Sequence, residues 1–247
     1  MTDFPKRESA RVAARVAARQ AQSETDRLIR DARDTADRRG SLEVDEANSI
    51  IYFDGEISES YLGGIDAPMM RDALSQLKNR PITLRLNSPG GDVDTGLSIY
   101  NALRAHSGGL TIVAELAASM GSLLLQAADK RIVTPSGMVM LHAPWSIAAG
   151  DAAEFERRAA ILRKYGERLI PIYSARTRKS EDEIRELFMG EHWYSAQESV
   201  DFGLADEVAN RPTQGRPKMA SARRASIRSR VAALNMDTNA IVAAYGG

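Results

Sequence analysis

The chain has 247 residues, 43% of them apolar and 27% charged, which suits one globular domain of ordinary size with appendages. Thirty-three Lys and Arg balance thirty-three Asp and Glu, so bulk charge points to neither a nucleic-acid nor a membrane partner. The absence of cysteine excludes disulfides, a thiol nucleophile and cysteine-ligated metal, and the three histidines (His106, His142 and His192) limit imidazole chemistry to three positions. No apolar run approaches membrane-spanning length and no signal-peptide pattern opens the sequence, so a cytoplasmic protein without metal or cofactor is expected.

Residues 1–45 read as a separate charged, helical arm, rich in Ala and Arg and lacking a wide apolar stripe. Arg11, Arg15 and Arg19 fall on one face, which suits either a solvated helix or an arm that docks on a partner. Gly40-Ser41 marks its expected end. A domain over residues 46–210 follows. Residues 49–53 read as a buried strand, 69–77 as a helix, 82–86 as a strand, 93–103 as a helix and 110–114 as a strand. A short apolar helix is expected after Ser119, then two short strands at 131–134 and 138–141. This alternation predicts an α/β fold with a parallel sheet and crossover helices. Residues 151–173 read as one long helix, with Phe155, Ala159, Leu162, Tyr165 and Leu169 at core spacing. Ser180 with Glu183, and Ser195 with Glu198, are capping boxes opening two more helices. Gly203 ends the second of these, and residues 204–208 form a last strand. In residues 211–247 seven basic side chains face one acid, Asp237. That segment reads as a basic disordered tail or as a tether to an acidic partner.

Within this frame Ser119 stands between a strand and a helix, flanked by Ala117-Ala118 and Met120-Gly121. A serine there is either an N-cap or a nucleophile whose oxyanion sits at a helix start. A nucleophile needs a base. His106 reads as a surface residue in a helix-ending turn, and His192 lies in a polar turn. His142 ends an apolar strand ahead of Ala143-Pro144, where an α/β sheet opens its ligand crevice; the other reading is a core histidine bonded to backbone. Ser88-Pro89-Gly90-Gly91, at a third strand end, offers a backbone that can approach a substrate closely.

Asn87-Ser88-Pro89-Gly90-Gly91, Ala117-Ala118-Ser119-Met120-Gly121, Met140-Leu141-His142-Ala143-Pro144 and Tyr194-Ser195-Ala196, running on to Phe202-Gly203-Leu204-Ala205-Asp206, together resemble the ClpP family of serine peptidases over residues 50–208. The His142-Ala143-Pro144-Trp145 and Glu191-His192-Trp193 segments look most like the head-maturation (prohead) proteases of tailed phages. The resemblance implies a ClpP/crotonase-like fold with a long handle helix. It also implies homo-oligomeric rings, heptamers or stacked rings, and peptide-bond hydrolysis through an acyl-enzyme. It places the nucleophile at Ser119, the general base at His142, oxyanion-hole N–H groups at Gly91 and Met120, and the third triad member at Glu191. Glu191 stands where the housekeeping enzymes have aspartate, so another group could orient His142 instead. Glu115, near the nucleophile, replaces a family glycine and is expected to be turned away or salt-bridged. The expected activity is ATP-independent processing of phage capsid or scaffold proteins in the host cytoplasm. Docking to a Clp unfoldase is not expected, since the charged arm takes the place of the family's axial loops. Two alternatives stay open: a proteolytic subunit of an ATP-dependent Clp-type protease, and a catalytically weak ring that serves as scaffold.

Overall fold

The computed structural model describes residues 40–210; the expected charged arm up to residue 39 and the basic segment 211–247 lie outside the described residues. The core is a sheet in the order β1-β2-β3-β4-β5-β6, with β7 pairing β5 off that path. Its central strands are β2 (Ile50–Gly55), β3 (Ile82–Ser88), β4 (Leu110–Ala118) and β5 (Lys130–Leu141), and each is parallel to the next. Parallel neighbours need crossovers, and the sequence supplies helices α1 (Ala67–Leu77), α2 (Val93–Arg104) and α3 (Met120–Leu125) in the gaps. One face of every central strand is apolar: Ile51, Phe53, Leu84, Leu86, Ile112 and Ala114 are almost wholly inaccessible to solvent. Each large side chain so buried contributes about 1.5–3 kcal/mol.

The sheet starts earlier than expected. β1 (Gly40–Asp45) pairs antiparallel with β2, Gly40 opposite Gly55 and Asp45 opposite Ile50, so six residues assigned to the arm belong to the folded domain. Their short, polar alternation carries little apolar signal. A second correction concerns His192. It lies in a strand, β6 (His192–Ser195), antiparallel to the end of β5, where a polar turn was expected. The two expected strands at 131–134 and 138–141 are one strand, β5, whose ladder with β4 is interrupted. Ala114 pairs Val133, but Leu116 pairs Met138. Residues 134–137 bulge from β5 and Glu115 from β4. The expected last strand at 204–208 contracts to β7 (Glu207–Val208).

Helix starts follow local hydrogen-bonding logic. Asp66 caps α1 by accepting from Met69 N–H at 2.9 Å, and Asp92 caps α2 through Thr95 N–H at 2.8 Å. Both expected capping boxes form, opening α5 (Glu181–Leu187) and α6 (Ala196–Phe202), and Gly203 closes α6 in the left-handed conformation at φ 93°. The long helix is α4 (Ala152–Thr177), capped by Asp151. Its buried residues are Leu169, Ile170, Tyr173 and Thr177, all in the last third. Phe155, expected in the core, is 52% exposed, and Ala159, Leu162 and Tyr165 are only half-buried. Helical spacing identified an amphipathic stripe; most of it has no cover among the described residues. No helix among them is long and apolar enough to cross a membrane, and no group of His, Cys, Asp or Glu among them could hold a metal ion.

Candidate functional site

Three strand ends meet at one edge of the sheet. β3 ends at Ser88 and β4 at Ala118, and β5 ends at Leu141, next to His142. All are carboxyl ends of parallel strands, where open α/β sheets form crevices. A cavity of about 540 Å³ opens there, lined among others by Gly90, Gly91, Ser119, Met120, His142 and Glu191.

Ser119 occupies the N-cap position of α3, yet its side chain caps nothing. Its backbone is at φ 52°, ψ −121°, a conformation that serine rarely adopts. The turn is held from both sides: Ser119 N–H donates to Met140 O at 2.9 Å, and Ser119 O accepts from Ser122 N–H at 2.9 Å and from Ser122 Oγ at 2.6 Å. Ser122 is fully buried, and its Oγ also lies 2.7 Å from the Tyr173 hydroxyl. The Ser119 carbonyl can only accept, so the single Ser122 proton goes there and Tyr173 donates to Ser122. Burial pushes the Tyr173 hydroxyl well above its ordinary range, which keeps it a donor. A chain of hydrogen bonds therefore runs from α4 to the serine turn. The Ser119 Oγ, which caps no helix N–H, lies instead 2.7 Å from His142 Nε2.

His142 follows β5 directly and is half-buried. Desolvation holds its imidazole below the ordinary range, opposed by the negative charge of Glu191. Glu191 reaches the cavity, but the hydrogen bond it accepts there comes from Trp193 Nε1, at 2.8 Å to Oε1. Among the described residues no hydrogen bond reaches His142 Nδ1. The structure thus brings Ser119 and His142 into hydrogen-bond contact, and Glu191 into electrostatic but not hydrogen-bond contact with the imidazole.

The glycine turn adjoins the serine. Gly90 is at φ +97°, and a Cβ there would stand 2.6 Å from Ser119 Cβ. Gly91 forms a bridge with Ile57: Ile57 N–H donates to Gly90 O and Asp92 N–H donates to Ile57 O, both at 2.8 Å. In such a ladder the intervening Gly91 turns its own N–H to the other side, away from Ile57. Met120 is the first residue of α3, whose N–H has no intrahelical acceptor. Both N–H groups belong to residues that line the cavity. Glu115 is salt-bridged, its Oε1 2.8 Å from Arg85 Nη2; half-exposed, this pair is worth at most about 1 kcal/mol. His106 stays outside the site, its Nε2 2.8 Å from Arg80 O. Ser122, Tyr173 and Trp193 were given no role from the sequence. A buried serine in an apolar helix and an aromatic residue at core spacing look structural until their contacts are known.

An α/β sheet with a hydroxyl–imidazole pair at the carboxyl ends of its strands has the architecture of a hydrolase. Residues 20–212 match the family described as Clp protease. The chain belongs to that family and is a serine endopeptidase. It is similar to the protein named ATP-dependent Clp protease proteolytic subunit 1 of Leifsonia xyli subsp. xyli, 33% identical over 162 residues that cover 64% of this chain and 82% of the relative. It is also similar to the subunit 1 so named in Salinibacter ruber, 36% identical over 139 residues covering 55% of this chain and 60% of the relative. The subunit 2 of Tropheryma whipplei is 33% identical over 130 residues, covering 51% and 72%.

Proposed function

We propose that this chain is the proteolytic subunit of a Clp-type protease, with Ser119 as nucleophile and His142 as general base. The observation that carries the assignment is the 2.7 Å contact between Ser119 Oγ and His142 Nε2, made by a serine that leaves its own helix uncapped. In this reading His142 Nε2 takes the proton as Ser119 Oγ attacks the scissile carbonyl. The oxyanion is stabilised by the N–H groups of Gly91 and Met120. The imidazolium then protonates the leaving amine, and the C–N bond breaks to give an acyl-enzyme ester. His142 next removes a proton from water, whose oxygen attacks the ester; the returning proton frees Ser119 and the acid product leaves. Glu191 supplies the negative charge that favours the imidazolium.

The names carried by the relatives favour the ATP-dependent Clp-type reading over the expected processing of phage head proteins, and we adopt the former. Ring assembly fits the exposed apolar side chains at the start of α4 and just before it: Ile147, Phe155 and Ile161 are 87%, 52% and 44% accessible in the single chain. A fluorophosphonate probe tests the site. Labelling is expected at Ser119, and Ser119→Ala is expected to abolish it and to lower kcat on a fluorogenic peptide by on the order of 10⁴–10⁶-fold. An unlabelled Ser119 in the assembled protein, or full activity in Ser119→Ala, overturns the reading. Degradation of a folded protein only when a Clp-type ATPase and ATP are added is the result expected of the ATP-dependent subunit; equal degradation without them favours the ATP-independent alternative.

A further inference from the structure

We propose that Trp193 is a positioning residue of this peptidase, its indole N–H holding the Glu191 carboxylate beside His142. The inference rests on the catalytic reading above. Its basis is strand register. β5 and β6 are antiparallel, with Met140 opposite Trp193 and Leu141 opposite His192. One step further along the same register sets His142 opposite Glu191. Side chains alternate across a strand, so Met140, His142, Glu191 and Trp193 share one face. Three of the four line the cavity. The fourth, Trp193, donates from Nε1 to Glu191 Oε1 at 2.8 Å.

The chemistry explains why a glutamate needs such a hold. It has one more rotatable bond than the aspartate of the housekeeping enzymes, and Glu191 is solvent-exposed. A free carboxylate there would sample many rotamers. Tying one oxygen to the indole confines it to the cavity edge and leaves the second oxygen, with its lone pairs, available to an imidazole Nδ1–H. Such catalytic hydrogen bonds often tighten only when substrate binds. Glu56, Asp92 and Tyr173 line the same cavity; of the charges around it, that of Glu191 is the one that bears on the imidazole. Trp193 is 49% exposed, so its ring is not a core element whose loss would unfold the domain.

The test is Trp193→Phe in the full-length protein, which keeps the ring and removes the donor. We expect kcat on a fluorogenic peptide to fall about tenfold with KM unchanged, a part of the ~100-fold that a 1 Å misplacement can cost. In the Ser119→Ala background, an NMR titration of His142 is expected to show its pKa falling further when Trp193 is replaced, because the carboxylate drifts from the ring. In the Glu191→Gln background the Trp193→Phe change is expected to have no further effect on kcat. The proposal is overturned if kcat and the His142 titration are both unchanged, or if the loss of activity persists in full without the Glu191 carboxylate. Failure of the catalytic reading looks different: Ser119 is then unlabelled and no variant turns over peptide, whereas the titration still reports whether Trp193 acts on His142.

Discussion

The serine edge of the sheet and the first two-thirds of α4 are built on opposite principles. At the serine edge the serine turn itself is fixed on every side. Ser119 is bonded through N–H, C=O and Oγ, and the neighbouring glycines leave no room for a methyl group. In residues 152–168 no side chain is buried, and order comes from local and surface pairs: Arg157 with Glu154 at 2.9 Å, Arg168 with Asp94 at 3.7 Å, and the Tyr165 hydroxyl donating to Asp94. Exposed ion pairs of this kind contribute at most about 1 kcal/mol each. The same helix passes from one regime to the other near Leu169, and Tyr173 then delivers a hydrogen bond to Ser122 beneath the serine turn. The difference separates a region where geometry is fixed within the subunit from one whose apolar surface is left for something else to cover.

The largest effect that follows is at Gly90. An added Cβ would stand 2.6 Å from Ser119 Cβ and 2.7 Å from Ala118 O, on a backbone at φ +97°. Neither neighbour can yield without moving the serine turn. Gly90→Ala is expected to lower kcat/KM by more than ~100-fold and to block fluorophosphonate labelling. Near-normal turnover would mean that this edge is softer than its contacts indicate, and the contrast with α4 would fail.

A smaller effect is expected in the pH profile. In the proposed mechanism His142 must be neutral to accept the Ser119 proton, and its folded-state pKa is depressed, chiefly by burial. The acidic limb of kcat/KM against pH, which reports the free enzyme, is therefore expected at a midpoint below the ordinary imidazole value of about 6.5. Glu191 acts in the raising direction, so Glu191→Gln is expected to move the limb to still lower pH. A limb above the ordinary value would show instead that a carboxylate outweighs desolvation in the assembled enzyme.

The central sheet was legible because its strands carry unbroken apolar faces, and the helix starts because Ser180 with Glu183, and Ser195 with Glu198, write their own hydrogen bonds three residues apart. The Ser119 and His142 pair was legible through motifs at strand ends. What escaped depends on partners distant in sequence. β1 and β6 are short, partly polar edge strands whose identity comes from the strand beside them. The expected salt bridge of Glu115 forms, but its partner, Arg85, lies thirty residues away and could not be named from the sequence. The Trp193–Glu191 bond lies within three residues of sequence, yet its meaning depends on β6 running beside β5. For α4, spacing reports an amphipathic helix but not how much of it meets the core, since the same stripe serves a core or a partner.

The smallest expected effect lies in that uncovered stretch. Gly166 sits inside α4, and a Cβ added there would meet nothing within 4 Å. Glycine in a helix interior costs about 0.5–1 kcal/mol relative to alanine, through backbone entropy alone. In the isolated subunit Gly166→Ala is thus expected to stabilise the fold by about that amount, raising Tm by roughly 1–4 °C, with peptide hydrolysis unchanged. Chemical denaturation with a peptide assay reads both. A loss of stability in the isolated subunit would show that this part of α4 is packed within its own chain after all. A gain there, joined to a lower mass by light scattering at assembly concentrations, would instead locate a neighbouring subunit against this helix. The open space at Gly166 would then be room that a second copy fills.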